Sequence, residues 1–139
     1  MKILEVLTEK RKVGNLGESL AAKYLKRHGY KIRKKNYVAN NNEIDIIAEN
    51  RTTLVFVEVK TRNSDKISKI EPRPASAVTP EKQREIISAA NCYIALNEIK
   101  NKRIRLDVIE VYLYDDKSQN KIVHIENAFN LNTAYRKGF

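Results

Sequence analysis

Two stretches decide how this chain is read: Glu43-Ile44-Asp45-Ile46-Ile47-Ala48-Glu49 and, after a short polar turn, Leu54-Val55-Phe56-Val57-Glu58-Val59-Lys60-Thr61-Arg62. Leu54 to Val57 is apolar on both faces, as a strand at the centre of a covered sheet must be. Side chains alternate along a strand, so Glu43, Asp45 and Ile47 are expected on one face of the first strand, and Leu54, Phe56, Glu58, Lys60 and Arg62 on one face of the second. A four-residue turn over 50–53 pairs Glu49 with Leu54. Counting back then sets Ile47 beside Phe56, Asp45 beside Glu58 and Glu43 beside Lys60. Directly opposed Cβ atoms lie about 4.5–5.5 Å apart, and two carboxylates at that distance repel unless a cation or a proton comes between them. An all-oxygen ligand set suits Mg²⁺ or Mn²⁺, ions that activate water and stabilise charge on a phosphate. Lys60 is placed to orient that water, to neutralise the phosphate or, with its pKa lowered by burial, to act as a base.

Upstream, Val13, Leu16, Leu20, Ala21, Tyr24 and Leu25 form one helical stripe over 13–28, and Gly29 stops it. Gly17 lies near the middle of the stripe, where a missing side chain lets the helix approach the sheet; Glu18, at the edge, is thereby a further candidate for the acidic site. A strand over 30–38 ends in the turn-forming run Asn40-Asn41-Asn42. Downstream, 63–78 carries Pro72 and Pro74 without a period and reads as a loop. Thr79-Pro80 caps a second helix reaching to about Asn97, whose buried stripe is Ile86, Ile87, Ala89, Ala90, Tyr93 and Ile94. Gln83 continues that stripe at the helix N-terminus, where an amide can meet a phosphate. Strands over 103–114 and 121–126 complete the order αβββαββ: an α/β domain spanning residues 1–139, with a central mixed sheet flanked by helices.

The 139 residues include 27 Lys and Arg against 17 Asp and Glu, a net charge of +10. That excess favours a polyanionic partner, DNA first and RNA second. Its phosphate-binding candidates are Lys10-Arg11-Lys12, Arg33-Lys34-Lys35 and Arg62. Residues 1–10 hold only short apolar runs and read as neither a signal peptide nor a span, so no membrane partner is expected. Cys92 is the only cysteine, which excludes an internal disulfide and a Cys-based zinc site and points to a reducing, cytoplasmic setting. It reads as an inert helical thiol. His28 and His124 read as surface residues, Glu81 as support for a helix dipole, and Asp107 as strand-end pairing. A homodimer is compatible with this sequence.

The chain resembles the bacterial YraN family, which is similar to the PD-(D/E)xK nucleases, among them restriction endonucleases and archaeal Holliday junction resolvases. The resemblance covers nearly the whole chain. It is carried by Gly14-x-x-Gly17-Glu18, Gly29-Tyr30, Asn36, Glu43-Ile44-Asp45, Val57-Glu58-Val59-Lys60, Ala77-Val78-Thr79, Lys82-Gln83 and Arg105-Leu106-Asp107-Val108. Departures fall at Asn42, where the family usually has glycine, and in 64–70, which lacks the usual Phe-Gly. The resemblance implies a restriction-endonuclease-like core in which Asp45 and Glu58 bind a divalent metal, Lys60 assists the water and Glu18 completes the acidic site. The function expected is a metal-dependent endonuclease acting on DNA, including branched or single-stranded forms, in repair, recombination or DNA uptake. The alternatives are a nucleic-acid-binding protein of the same fold without significant catalysis, and a basic scaffold for a ribonucleoprotein or envelope assembly. Intact Asp45, Glu58 and Lys60 favour the enzyme, since a pure binder gains nothing from two carboxylates where a phosphate must approach.

Overall fold

The computed structural model describes residues 3–63 and 78–131, with side chains from residue 11 onward. The elements are α1 (Ile3–Arg27), β1 (Lys31–Ala39), β2 (Asn42–Glu49), β3 (Thr53–Asn63), α2 (Pro80–Leu96), β4 (Arg103–Leu113), a 3-10 turn (Lys117–Gln119) and β5 (Lys121–Phe129). The sheet runs β1-β2-β3-β4-β5. Only the β3–β4 pair is parallel, as the intervening helix α2 requires; the other three pairs are antiparallel.

α1 begins ten residues before the apolar stripe that identifies it. Residues 3–12 contain neither Gly nor Pro, and their Leu, Glu, Lys and Arg are good helix formers, so local propensity alone allows the helix to extend this far. It stops at Gly29 (φ 88°), where Tyr30 N–H donates to Leu25 O at 3.0 Å in a Schellman-type close. α2 starts as the sequence implies: Thr79 accepts from Lys82 N–H and Pro80 takes the first turn.

The core has two layers. Ala21, Ala22 and Leu25 of α1 pack on Ile46, Ala48, Val55, Val57, Ile109 and Val111, while Ile86, Ile87, Ala90 and Tyr93 of α2 pack on Ile47, Leu54, Phe56, Leu106 and Val108. β3 is therefore buried on both faces, as its apolar run implies. At Gly17 the first layer closes to backbone contact: a Cβ there would lie 1.8 Å from Thr61 Oγ1 and 2.8 Å from Thr61 Cβ. No helix among the described residues is long and apolar enough to cross a membrane. The stretch 64–77, read from sequence as a loop, lies outside the described residues.

Candidate metal centre

The β2–β3 ladder has the expected register, Glu49↔Leu54 and Ile47↔Phe56, but it ends at Ile46↔Val57. Asp45 and Glu58 would come next. Instead of a ladder pair, the Asp45 carboxylate turns between the strands and accepts from Val59 N–H at 2.7 Å. The two strands part where like charges would face each other across a pair.

A second irregularity sits at the same place. Ile44 packs in the α2 layer and Ile46 in the α1 layer, although residues two apart in a regular strand share a face. On β1, Lys35↔Ile46 and Tyr37↔Ile44 flank Asn36, which has φ 51°, the left-handed region that Asn tolerates better than most residues. The pleat thus turns over at Asn36 and Asp45. This corrects the expected shared face: Ile47 belongs to the α2 layer and Glu43 to the α1 side, so Glu43 is not beside Lys60. Strict alternation misplaced it, because the pleat of β2 turns over at Asp45, beside the left-handed Asn36 of β1, and every side chain beyond that point changes face.

The reversal gives Asp45 neighbours on both sides of the sheet. From the α1 side comes Glu18, delivered by the Gly17 contact. One ligand oxygen from each of Glu18, Glu43 and Asp45 lies within 4.8 Å of the others. Asn36, its amide oriented to satisfy its neighbours, donates to Glu43 Oε1 at 2.9 Å and Glu18 Oε1 at 3.1 Å. On the α2 side, β3 alternation places Glu58, Lys60 and Arg62 with Leu54 and Phe56. Glu58 feels the charge of Asp45, opposed by Lys82 and Lys60.

Burial, then the charge of Asp45 and a hydrogen bond with it, push the Glu18 carboxyl up to about 7. Burial followed by repulsion from Asp45 raises Glu58 to about 7 as well. Asp45 is also raised, by burial first, against the opposing Val59 N–H. Three carboxyls that resist ionisation around one gap, all offering oxygen, fit a hard divalent cation, whose charge would replace the protons.

Glu18, Glu43 and Asp45 thus gather on the α1 side where β2 and β3 part, while Glu58 and Lys60 stand on the α2 face of β3, with Asp45 between the two sides. Gln83 stands at the start of α2, where its Nε2 donates to Val78 O at 2.8 Å, fastening the helix start, and its buried Oε1 has no partner among the described residues. Among the basic candidates, Lys35 faces Glu18 and lowers its pKa. Lys34, Arg11 and Lys12 are exposed, and the Lys10 side chain lies outside the described residues. Arg33 is engaged elsewhere, 3.2 Å from Glu49 and over the Tyr93 ring. Arg62 keeps its Nε buried without a partner among the described residues.

Sequence reasoning left out Asn36, Glu43 and Lys82 as site members. Lys82 precedes Gln83 in the first turn after Thr79-Pro80, so the helix start was its signal. It also misread His124, which is 7% exposed and reaches Asp107 Oδ2 at 2.6 Å and the Tyr24 hydroxyl at 3.2 Å. Asp107 is not at a strand end but inside β4, where Arg105 and Asn127 N–H also donate to it.

A solved structure described as "Crystal structure of SSO0001" aligns with 96% of this chain and 65% of its own at 15% identity and a TM-score of 0.29, a score from which no shared fold is inferred. UPF0102 protein TTE1452 of Caldanaerobacter subterraneus is 45% identical over 121 residues, 86% of this chain and 96% of that protein. UPF0102 protein Cphamn1_0017 of Chlorobium phaeobacteroides is 43% identical over 121 residues, 84% of this chain and 93% of that protein. The five-stranded mixed sheet with its two helices is compatible with a restriction-endonuclease-like fold. Residues 17–111 match the uncharacterised protein family UPF0102, the YraN family, and the chain belongs to it.

Proposed function

We propose that this protein is a Mg²⁺- or Mn²⁺-dependent endonuclease that hydrolyses phosphodiester bonds in DNA. The observation that carries the reading is the position of Asp45: its carboxylate fills the gap where β2 and β3 part, with Glu18 on one side, Glu58 on the other, and both neighbours raised to about 7. Asp45 and Glu58 would hold the ion and Glu18 would complete its surroundings. When bound, a divalent ion would supply Lewis acidity to the phosphate and lower the pKa of the attacking water.

The chain's own residues do the rest. Lys60 presents an ammonium beside Glu58 that can orient the water and offset charge on the phosphate. Lys82, also felt by Asp45 and Glu58, adds positive charge from the first turn of α2. Gln83 has a free amide oxygen beside that turn. Lys34, Lys35, Arg11 and Lys12 offer charge to the phosphate backbone, and the net +10 supports a salt-sensitive interaction with a polyanion. DNA repair, recombination or uptake in the cytoplasm suits this chemistry and the lone cysteine.

The test is cleavage of linear, flapped, single-stranded and four-way DNA with Mg²⁺ or Mn²⁺, comparing wild type with Asp45→Asn, Glu58→Gln and Lys60→Ala. Each variant is expected to lose at least about a hundredfold in rate while remaining folded. Metal-dependent cleavage at the wild-type rate in all three would place the chemistry elsewhere.

A further inference from the structure

Glu110 takes no part in the centre described above, yet among the described residues it is the most completely buried acidic side chain on the α2 side of the sheet. It lies in β4, is 2% exposed, and is in register with Lys60 of β3. Its Oε1 accepts from the Tyr112 hydroxyl at 3.0 Å. Its Oε2 is buried and has no hydrogen-bond partner among the described residues. A carboxylate oxygen left in that state is costly, and in a folded protein it is expected to have an acceptor's task.

The register limits what that task can be. On this face the strand beside Glu110 presents Glu58, Lys60 and Arg62. Lys60 is the direct neighbour. Paired strands run about 4.8 Å apart, well within the reach of a four-carbon stem that ends in three donors. From the other direction, the Lys60 ammonium acts on Glu58, two residues back on its own strand. Lys60 therefore stands between two carboxyls. One belongs to the candidate metal centre, and the other is held still by Tyr112 with one oxygen to spare. Arg62, the next cation along this strand, aligns with Tyr112 rather than with Glu110.

We propose that Glu110 is the positioning residue for Lys60: its free Oε2 accepts from the ammonium and fixes it at the Glu58 edge of the centre once the charge of Glu58 is taken up by a cation. A lysine stem has many rotamers, and without a second anchor the ammonium would either follow Glu58 into the gap or swing to solvent. The consequence for catalysis rests on the nuclease reading. The anchoring itself does not.

The experiment observes the Lys60 ammonium directly by ¹⁵N NMR, with and without Mg²⁺, using Lys60→Arg to assign the signal. Wild type is expected to give a resolved ammonium signal whose hydrogens exchange with water at least about tenfold more slowly than in Glu110→Gln. Glu110→Asp, which keeps the charge but withdraws the oxygens by one bond, is expected to lose the protection too, and it decides the matter if Glu110→Gln does not fold. With cleavable DNA, Glu110→Gln should lower kcat about tenfold and leave KM unchanged. Wild-type ammonium exchange in the folded variants overturns the proposal. An absence of cleavage by wild type would sink the nuclease reading alone, and the exchange rates would still decide the role of Glu110.

Discussion

Asp45 and Asp107 are the same residue type in neighbouring parts of one sheet, both turned away from water, and their carboxyls are shifted in opposite directions. Burial pushes both up. At Asp107, hydrogen bonds from His124, Arg105 and Asn127 outweigh burial and hold the carboxyl below its usual range. Arg105 donates through Nε and its terminal nitrogen, each at 2.9 Å, and also reaches the Tyr30 hydroxyl and Glu126. Asn127 adopts φ 54° beside an irregularity in the β4–β5 register, which turns its N–H toward Asp107 at 2.9 Å. At Asp45 the Val59 N–H, a hydrogen bond with Glu18 and the charge of Lys82 oppose burial without overcoming it, and the nearest side chains include two more carboxyls. One aspartate is built into the structure by donors. The other is crowded by carboxyls whose repulsion a cation would relieve.

If that contrast is right, removing each charge has opposite effects on the metal-free protein. Asp107→Asn strands Arg105 and is expected to cost about 3–5 kcal/mol in denaturant unfolding. Asp45→Asn keeps an oxygen for Val59 N–H and removes repulsion, so stability should hold or rise by up to about 1 kcal/mol. Equal losses in the two variants would erase the distinction.

The Gly17 contact sharpens it at smaller scale. Gly17→Ala forces α1 away from Thr61 and should cost about 1–3 kcal/mol. It should also carry Glu18 off Asp45, so the Glu18 carboxyl, followed by ¹³C NMR, returns toward its ordinary range. An unmoved Glu18 titration would show that the close approach does not position it.

The smallest effect expected is on pH dependence. Glu18 and Glu58 are raised from 4.5 to about 7, so the folded state binds more protons than the unfolded chain between those values. Their cost to stability is absent below 4.5, grows as pH rises, and is complete above about 7. Asp107 is lowered from 3.8, so its contribution is present above that value and is lost as pH falls through the folded-state pKa. Without metal, Tm should fall by about 3–6 °C from about pH 5 to about pH 8. Mg²⁺ or Mn²⁺ at millimolar concentration should restore it, most strongly above pH 7. A flat metal-free profile in calorimetry would contradict the assignment.

Sequence alone carried much of this. The apolar run of β3 identified the central strand, Asn40-Asn41 marked the hairpin turn, and the glycine in the stripe of α1 placed Glu18 beside the sheet. Those signals are local and periodic. The reversal at Asn36 and Asp45 was not legible, because both residues lie inside strands with no turn signal at those positions, and the sign of one φ leaves only a faint trace in residue type. The buried state of His124 was hidden for a different reason: its partners Asp107 and Tyr24 are 17 and 100 residues away in sequence, so no window contains them. The unpaired oxygen of Glu110 depends on the parallel register of β3 and β4, which pattern suggests but does not number.

That parallel register has a consequence for the order in which the chain is made. β3 ends at Asn63 and its neighbour β4 begins at Arg103, so a ribosome completes β3 long before the strand that covers its second edge exists. An apolar strand with an open edge invites pairing with another copy of itself. In β3 the uninterrupted apolar run is only Leu54 to Val57, and Glu58, Lys60 and Arg62 place charge at every second position beyond it. Segments that stack into aggregates are typically about five to seven residues long and carry little charge. The charges that shape the candidate centre therefore act as gatekeepers during synthesis, keeping the nascent strand free for the partner that is translated later.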